Sequence, residues 1–221
     1  MRSTAKRSIW RQAIRWCLAA TLSRRLLLVS GAKQSQSICL TFDDGPHPEH
    51  TERILDILKR EAVPATFFVV GREAEKYPET VRRIVAEGHT LGHHSFLHGD
   101  PARTSANQLL AEVRQTQAVL SRIAGTKSSL FRPPHGKVTA SKLWRLWSHG
   151  LSVVLWNVDP SDYRCHSAEE LRGWIRQRPL KGGDVVLMHD NVPHGASVLR
   201  ELIHDTRRRG LTFTTPLTWL R

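Results

Sequence analysis

The sequence predicts an α/β fold built on a parallel sheet, in one domain. Short apolar runs alternate with helix-period segments from Ser37 onward, no tandem repeat or low-complexity tract interrupts them, and 221 residues at 40% hydrophobic content suit a single buried core. Strands are expected at 38–42 (ICLTF), 65–70 (ATFFVV), 90–92 (TLG), 130–132 (LFR), 152–158 (SVVLWNV), 185–189 (VVLMH) and 211–214 (LTFT), each an apolar or β-branched run too short for a helix. Between them, apolar residues recur at helical spacing over 52–61, 73–87, 105–123, 140–149, 168–178 and 197–209. Strand-helix alternation implies parallel strands beneath helices, either closed as a barrel or open and doubly wound. In both, active groups gather where the strands end, because the loops there converge above the sheet.

Charge is unevenly distributed. Lys and Arg number 33 against 20 acids, a formal +13, but residues 1–33 carry Arg2, Lys6, Arg7, Arg11, Arg15, Arg24, Arg25 and Lys33 with no acid, leaving +5 for the rest. Residues 1–36 therefore read as a short basic N-terminal arm and 37–221 as the folded domain. Arg7, Arg11 and Arg15 fall at helical spacing, with Trp10, Ile14, Cys17 and Leu18 on another face, a pattern for peripheral contact with an anionic membrane surface or for a helix packed on the domain. A body at +5 without a basic, aromatic-lined groove is not expected to bind nucleic acid. Cys17, Cys39 and Cys165 are odd in number and irregularly spaced, which points to a reducing compartment. Arg24 and Arg25 interrupt the only stretch resembling an export signal, so a cytoplasmic location is expected, at the inner membrane face if the arm rests there. A monomer is expected.

The residues at the strand ends carry the chemistry. The first strand runs into Asp43 and Asp44, the third into His93, His94 and His98, the fourth into Arg132, the fifth into Asp159 and Asp162, and the sixth into His189 and Asp190. His94 and His98 are four apart, a spacing that lets two imidazoles face one divalent ion. Asp-Gly-Pro is good turn chemistry, so the two adjacent acids could serve a turn or cap. With the histidines, one of them completes a two-histidine, one-carboxylate set that leaves a coordination position for water, while the other stays ionised beside the cation. The helical Trp144, Trp147 and Trp174 read as core, and Trp156 as a residue lining the site.

Taken together, TFDDGP (41–46), HSFLH (94–98), RPPHG (132–136), DPSDY (159–163) and LMH (187–189) resemble, in order and spacing, the five motifs of the polysaccharide deacetylases, the NodB-like domain of carbohydrate esterase family 4. The stretch PHPEHTERILDILKREAVPATFFVVG (46–71) looks like that family throughout. The resemblance implies a distorted seven-stranded (β/α) barrel and a metal-dependent deacetylase removing N-acetyl, in some members O-acetyl, groups from sugars. It implies Asp44, His94 and His98 as ligands of a divalent metal, most often Zn2+, with Co2+, Mn2+ or Ni2+ as substitutes. Asp43 would be the general base and Arg132 its ion-pair partner; His189 would be the general acid, oriented by Asp162. The backbone N–H of His135 would hold the oxyanion, and Pro134, Tyr163 and Trp156 are assigned to the substrate pocket. His135 stands where the family usually has Tyr, Tyr163 where it has Trp, and His93 where Asn is frequent. A carbohydrate O-acetyl esterase on the same site and a metal-free carbohydrate-binding pseudoenzyme on the same barrel are the alternatives. The expected substrate is an N-acetylated oligosaccharide, chitooligosaccharide-like, or a lipid-linked glycan precursor.

Overall fold

The computed structural model describes residues 22–220. Its strands are β1 (Leu27–Leu28), β2 (Ser37–Asp43), β3 (Thr66–Val69), β4 (Thr90–His93), β5 (Leu130–Phe131), β6 (Ser152–Val154), β7 (Val185–His189) and β8 (Thr212–Thr214). Its α-helices are α1 (His50–Arg60), α2 (Gly71–Lys76), α3 (Pro78–Ala86), α4 (Ala106–Ala124), α5 (Ala140–Trp147), α6 (Ala168–Gln177), α7 (His194–Arg208) and α8 (Pro216–Trp219). All pairings are parallel, in the order β1-β6-β5-β4-β3-β2-β7, with β8 joined to the start of β2. Beyond β6 the chain makes a parallel bridge from Val158 to Val186 of β7, which bends the sheet back toward its other edge. The seven strands expected between residues 37 and 214 are present on this distorted, barrel-like frame.

The pleat sorts the central strand into two faces. Ile38, Leu40 and Phe42 of β2 pack outward with Ile54, Leu55 and Leu58 of α1 and Val198, Leu199 and Leu202 of α7. Cys39 joins Leu28, Phe68, Leu130, Val154 and Val185 in a second apolar layer, contributed by six different strands. Thr41 and Asp43 continue the Cys39 face toward the strand's end, which puts a carboxylate at the rim of the layer.

Four details differ from the sequence reading. Leu27–Leu28 form a strand within residues assigned to the arm: the buried Leu27 and Leu28 pair with Val153 and Val154, a role hidden by the preceding Arg24 and Arg25. The single helix expected over 73–87 is two, because Pro78 lacks the N–H and shape to continue one and instead starts α3. The strand expected over 152–158 ends at Val154, where Arg132 takes the carbonyls of Val154 and Leu155. Trp144 is not core: α5 buries Lys142, Leu143 and Leu146, leaving Trp144 71% exposed. Trp147 and Trp174 do pack against the core. The arm's helical pattern, Arg7 to Leu18, lies outside the described residues. Among the described residues no helix is long and apolar enough to cross a membrane.

Candidate active site

Asp43 ends β2 almost fully buried, a position that only a counter-charge makes tolerable. Arg132, directly after β5 and completely buried, provides it: Nη1 donates to Asp43 Oδ1 at 2.7 Å and to Thr41 Oγ1 at 2.7 Å. Its Nε and Nη2 donate to the carbonyls of Val154 and Leu155 at 3.1 and 3.2 Å, and the guanidinium lies over the Phe68 ring, 4.1 Å from its centroid. The guanidinium is thus held at both edges and one face, which fixes the carboxylate it grips.

Asp44 follows at φ 76°, a left-handed conformation unusual for a side-chain-bearing residue, and this turn sends its carboxylate toward two imidazoles. His94 Nδ1 lies 2.8 Å from the carbonyl of Arg132. A carbonyl only accepts, so Nδ1 carries the proton and Nε2 presents a lone pair, 3.4 Å from Asp44 Oδ1 and 3.7 Å from Asp43 Oδ2. His98 Nε2 is 3.2 Å from the same Asp44 oxygen. His98 also has positive φ, 54°, and its N–H donates to Ser95 Oγ at 2.9 Å, while Glu112 accepts from the N–H groups of Phe96 and Leu97. Burial, then the neighbouring His94, pushes the pKa of His98 down and favours its neutral, ligating form. Burial opposes charge on Asp44, but the imidazoles of His94, His98 and His189 hold its carboxyl below the usual carboxylate range. One ligand atom from each of Asp44, His94 and His98 falls within 4.8 Å of the others, and Asp44 Oδ1 is buried without a hydrogen-bond partner among the described residues. Converging acceptors with no proton between them fit a divalent cation.

Opposite this group, the β2–β7 register sets Asp43 beside His189. His189 Nδ1 donates to Asp162 Oδ1 at 2.7 Å and its backbone N–H to Asp162 Oδ2 at 2.7 Å, so Nε2 is the nitrogen left for other partners. Burial alone would lower the His189 pKa, yet the hydrogen bond and charge of Asp162, with Asp43 and Asp44 behind, carry it up to about 9. The imidazole is then cationic at neutral pH. His135 sits at φ 56° in the 3-10 turn Pro134–Gly136, its ring edge-on to His98 at 4.9 Å; Pro134 is buried beneath. Gly136 is required where it stands, since at φ 63° an added Cβ would come within 2.7 Å of Trp156 Cη2. Trp156 in turn lies over Arg132, and the 47% exposed Tyr163 meets His189 edge-on at 5.0 Å.

The polysaccharide deacetylase family model matches residues 30–154. The chain belongs to this family. A peptidoglycan-N-acetylglucosamine deacetylase of Bacillus cereus is 32% identical over 205 residues, 90% of this chain and 74% of that protein. A chitooligosaccharide deacetylase of Bradyrhizobium is 35% identical over 191 residues, 85% of each. A solved peptidoglycan N-acetylglucosamine deacetylase, in complex with an N-oxidanyl-benzamide, superposes with a TM-score of 0.83 at 31% identity over 88% of this chain and 92% of that one. A family 4 carbohydrate esterase from Streptomyces lividans, solved with acetate, reaches 0.76 at 29% identity over 85% of this chain and 97% of that one.

Not every rim residue of this deacetylase joins the cluster. His93 is buried and turns away, with Nε2 3.0 Å from the Ser128 carbonyl. Asp159 accepts from Ser161 N–H at 2.7 Å and shapes the turn before Asp162. Asp190 is buried behind the site, accepting from Thr51 Oγ1 at 2.6 Å; burial drives its pKa up to about 7. Supporting residues that sequence reasoning missed are Thr41, Ser95, Thr51 and Asn191, whose Nδ2 is 3.5 Å from Asp44 Oδ2. Thr41, two residues from Asp43 on the same strand face, and Ser95, three residues before His98, were legible in principle; the contacts of Thr51 with Asp190 and of Asn191 with Asp44 are long-range and have no local signal.

Proposed function

We propose that the protein hydrolyses the N-acetyl groups of amino sugars, releasing acetate and a free amine. The observation that carries this is that two differently wired acid-base groups, Asp43–Arg132 and His189–Asp162, meet across paired strands at the rim that carries the Asp44, His94 and His98 acceptor cluster. Asp44, His94 and His98 would hold a divalent cation, Zn2+ from the donor set, which supplies Lewis acidity that lowers the pKa of water and polarises the acetyl carbonyl. Asp43, held in place by Arg132, takes the proton of the attacking water. The backbone N–H of His135 stabilises negative charge on the former acetyl oxygen. His189, protonated through Asp162, gives its proton to the departing nitrogen, without which an amide does not cleave. Tyr163, Trp156 and Pro134 bound the space for the sugar. The relatives named for peptidoglycan and chitooligosaccharides support an N-acetylated glycan as the substrate class, with a lipid-linked glycan as a further substrate of the same chemistry.

The test is acetate release from N-acetylglucosamine oligomers, peptidoglycan fragments and O-acetylated xylan, with and without chelator. Release from the N-acetylated sugars, abolished by chelation, is expected. Asp43→Asn is expected to lose about a hundredfold or more in rate while still binding metal, whereas Asp44→Ala loses the metal itself. Full activity in Asp43→Asn, or release only from xylan, would overturn the reading.

A further inference from the structure

The acidic residues are absent from two long stretches, 1–42 and 113–158. β1, β5, β6 and α5 all come from these stretches, and the topology brings them together: β1 pairs with β6, β6 with β5, and α5 packs over them through Leu143 and Leu146. The strand β1 is laid down by Trp147 Nε1 donating to the Leu26 carbonyl at 2.8 Å and Ser152 Oγ to that of Arg25 at 2.7 Å. Arg24, Arg25, Arg145 and His149 are exposed around this seam, and among the described residues none of the three arginines has an acidic partner. On the outer side of α5, Trp144 stands 71% exposed beside Arg145. Leu22 packs against the same cluster, and the sequence before it adds Arg2, Lys6, Arg7, Arg11, Arg15, Trp10 and Trp16 and no acid.

We propose that this face, β1 with the outer side of α5, docks on an anionic lipid bilayer. A large indole exposed among unpaired guanidinium groups matches the headgroup layer, where Trp rings sit between water and acyl chains and arginines meet phosphates. A nucleic-acid surface would present a groove lined with successive aromatic platforms; here Trp144 is the one strongly exposed tryptophan among the described residues. The contact is peripheral, and independent of the acetyl chemistry at the rim.

The experiment is sedimentation of the full chain with vesicles of phosphatidylcholine alone and of phosphatidylcholine mixed with phosphatidylglycerol. Binding to the mixed vesicles only, released by salt, is expected. Each basic side chain near such a surface is worth about fivefold in affinity, so Arg24→Glu, Arg25→Glu and Arg145→Glu combined, with residues 1–21 intact, lower affinity roughly a hundredfold. Trp144→Ser lowers it several-fold, with acetate release from a soluble oligomer unchanged in both variants. Equal binding to the two vesicle types would overturn the proposal, as would wild-type affinity in the triple variant, which would assign binding to residues 1–21 alone. Displacement by duplex DNA at matched phosphate would overturn it in favour of a nucleic-acid surface.

Discussion

Arg132 shows how much one side chain can organise. It is completely buried, so its charge is offset by Asp43 and by the carbonyls of Val154 and Leu155, and its own carbonyl sets the tautomer of His94. Arg132→Leu leaves the Asp43 carboxylate buried and unpaired, and removing one partner of a buried pair costs about 3–5 kcal/mol; urea unfolding measures the loss. His189 makes a second residue-scale prediction, with a definite sign. In the proposed role of general acid it must be protonated, so activity is expected to fall as pH rises through its raised pKa of about 9. Asp162→Asn removes the hydrogen-bonded negative charge that raises it, and the alkaline limb of the kcat/KM profile is expected to move to lower pH. An unmoved limb would show that another group donates the proton.

At the scale of elements, the loop from Asp43 to Thr51 is where backbone and chemistry meet. Asp43 receives the N–H of Asp190 on its carbonyl, the Asp190 carboxylate takes the Thr51 hydroxyl, and that hydroxyl takes the His47 N–H. Gly45 passes so close that an added Cβ would sit 2.0 Å from Asp190 Oδ2. Gly45→Ala therefore displaces the turn that holds Asp44 at positive φ, and metal affinity measured by calorimetry is expected to fall at least tenfold, the scale on which a misoriented ligand is felt. The helices were legible where periodicity was uninterrupted, as in α4. They were less so across Tyr77–Pro78, where the apolar spacing continues although the backbone cannot. Trp144 was misread because an aromatic on an amphipathic helix counts toward core by type, while its direction is set by the rotation of α5 against the sheet.

For the whole molecule, the strand order and register of the sheet decide what the rim can do. The register of β2 with β7 puts His189 beside Asp43, and the loops after β4 and β5 bring His94, His98 and Arg132 to the same place from residues far apart in the chain. Asp44 Oδ1 and one imidazole nitrogen each from His94 and His98 converge within 4.8 Å of one another, a ready-made set of donors for a cation. Because the unfolded chain has no such site, metal at a hundred times its Kd is expected to stabilise the fold by about 2.7 kcal/mol. Chelation should lower Tm in a scan by a corresponding amount, and Asp44→Ala should make Tm insensitive to chelator.

The sequence by itself determined the alternation of strands and helices and which polar residues end each strand, because burial period and turn chemistry are local properties of the chain. From spacing alone, the two adjacent carboxylates remained interchangeable. Only the tertiary structure decided that Asp43 pairs with Arg132 while Asp44 turns to the imidazoles, that His93 faces away from His94, and that Leu27–Leu28 extend the sheet. Each depends on strand register, a single backbone dihedral or a partner distant in the chain, as Arg132 is from Asp43 by 89 residues, none of which a local pattern encodes.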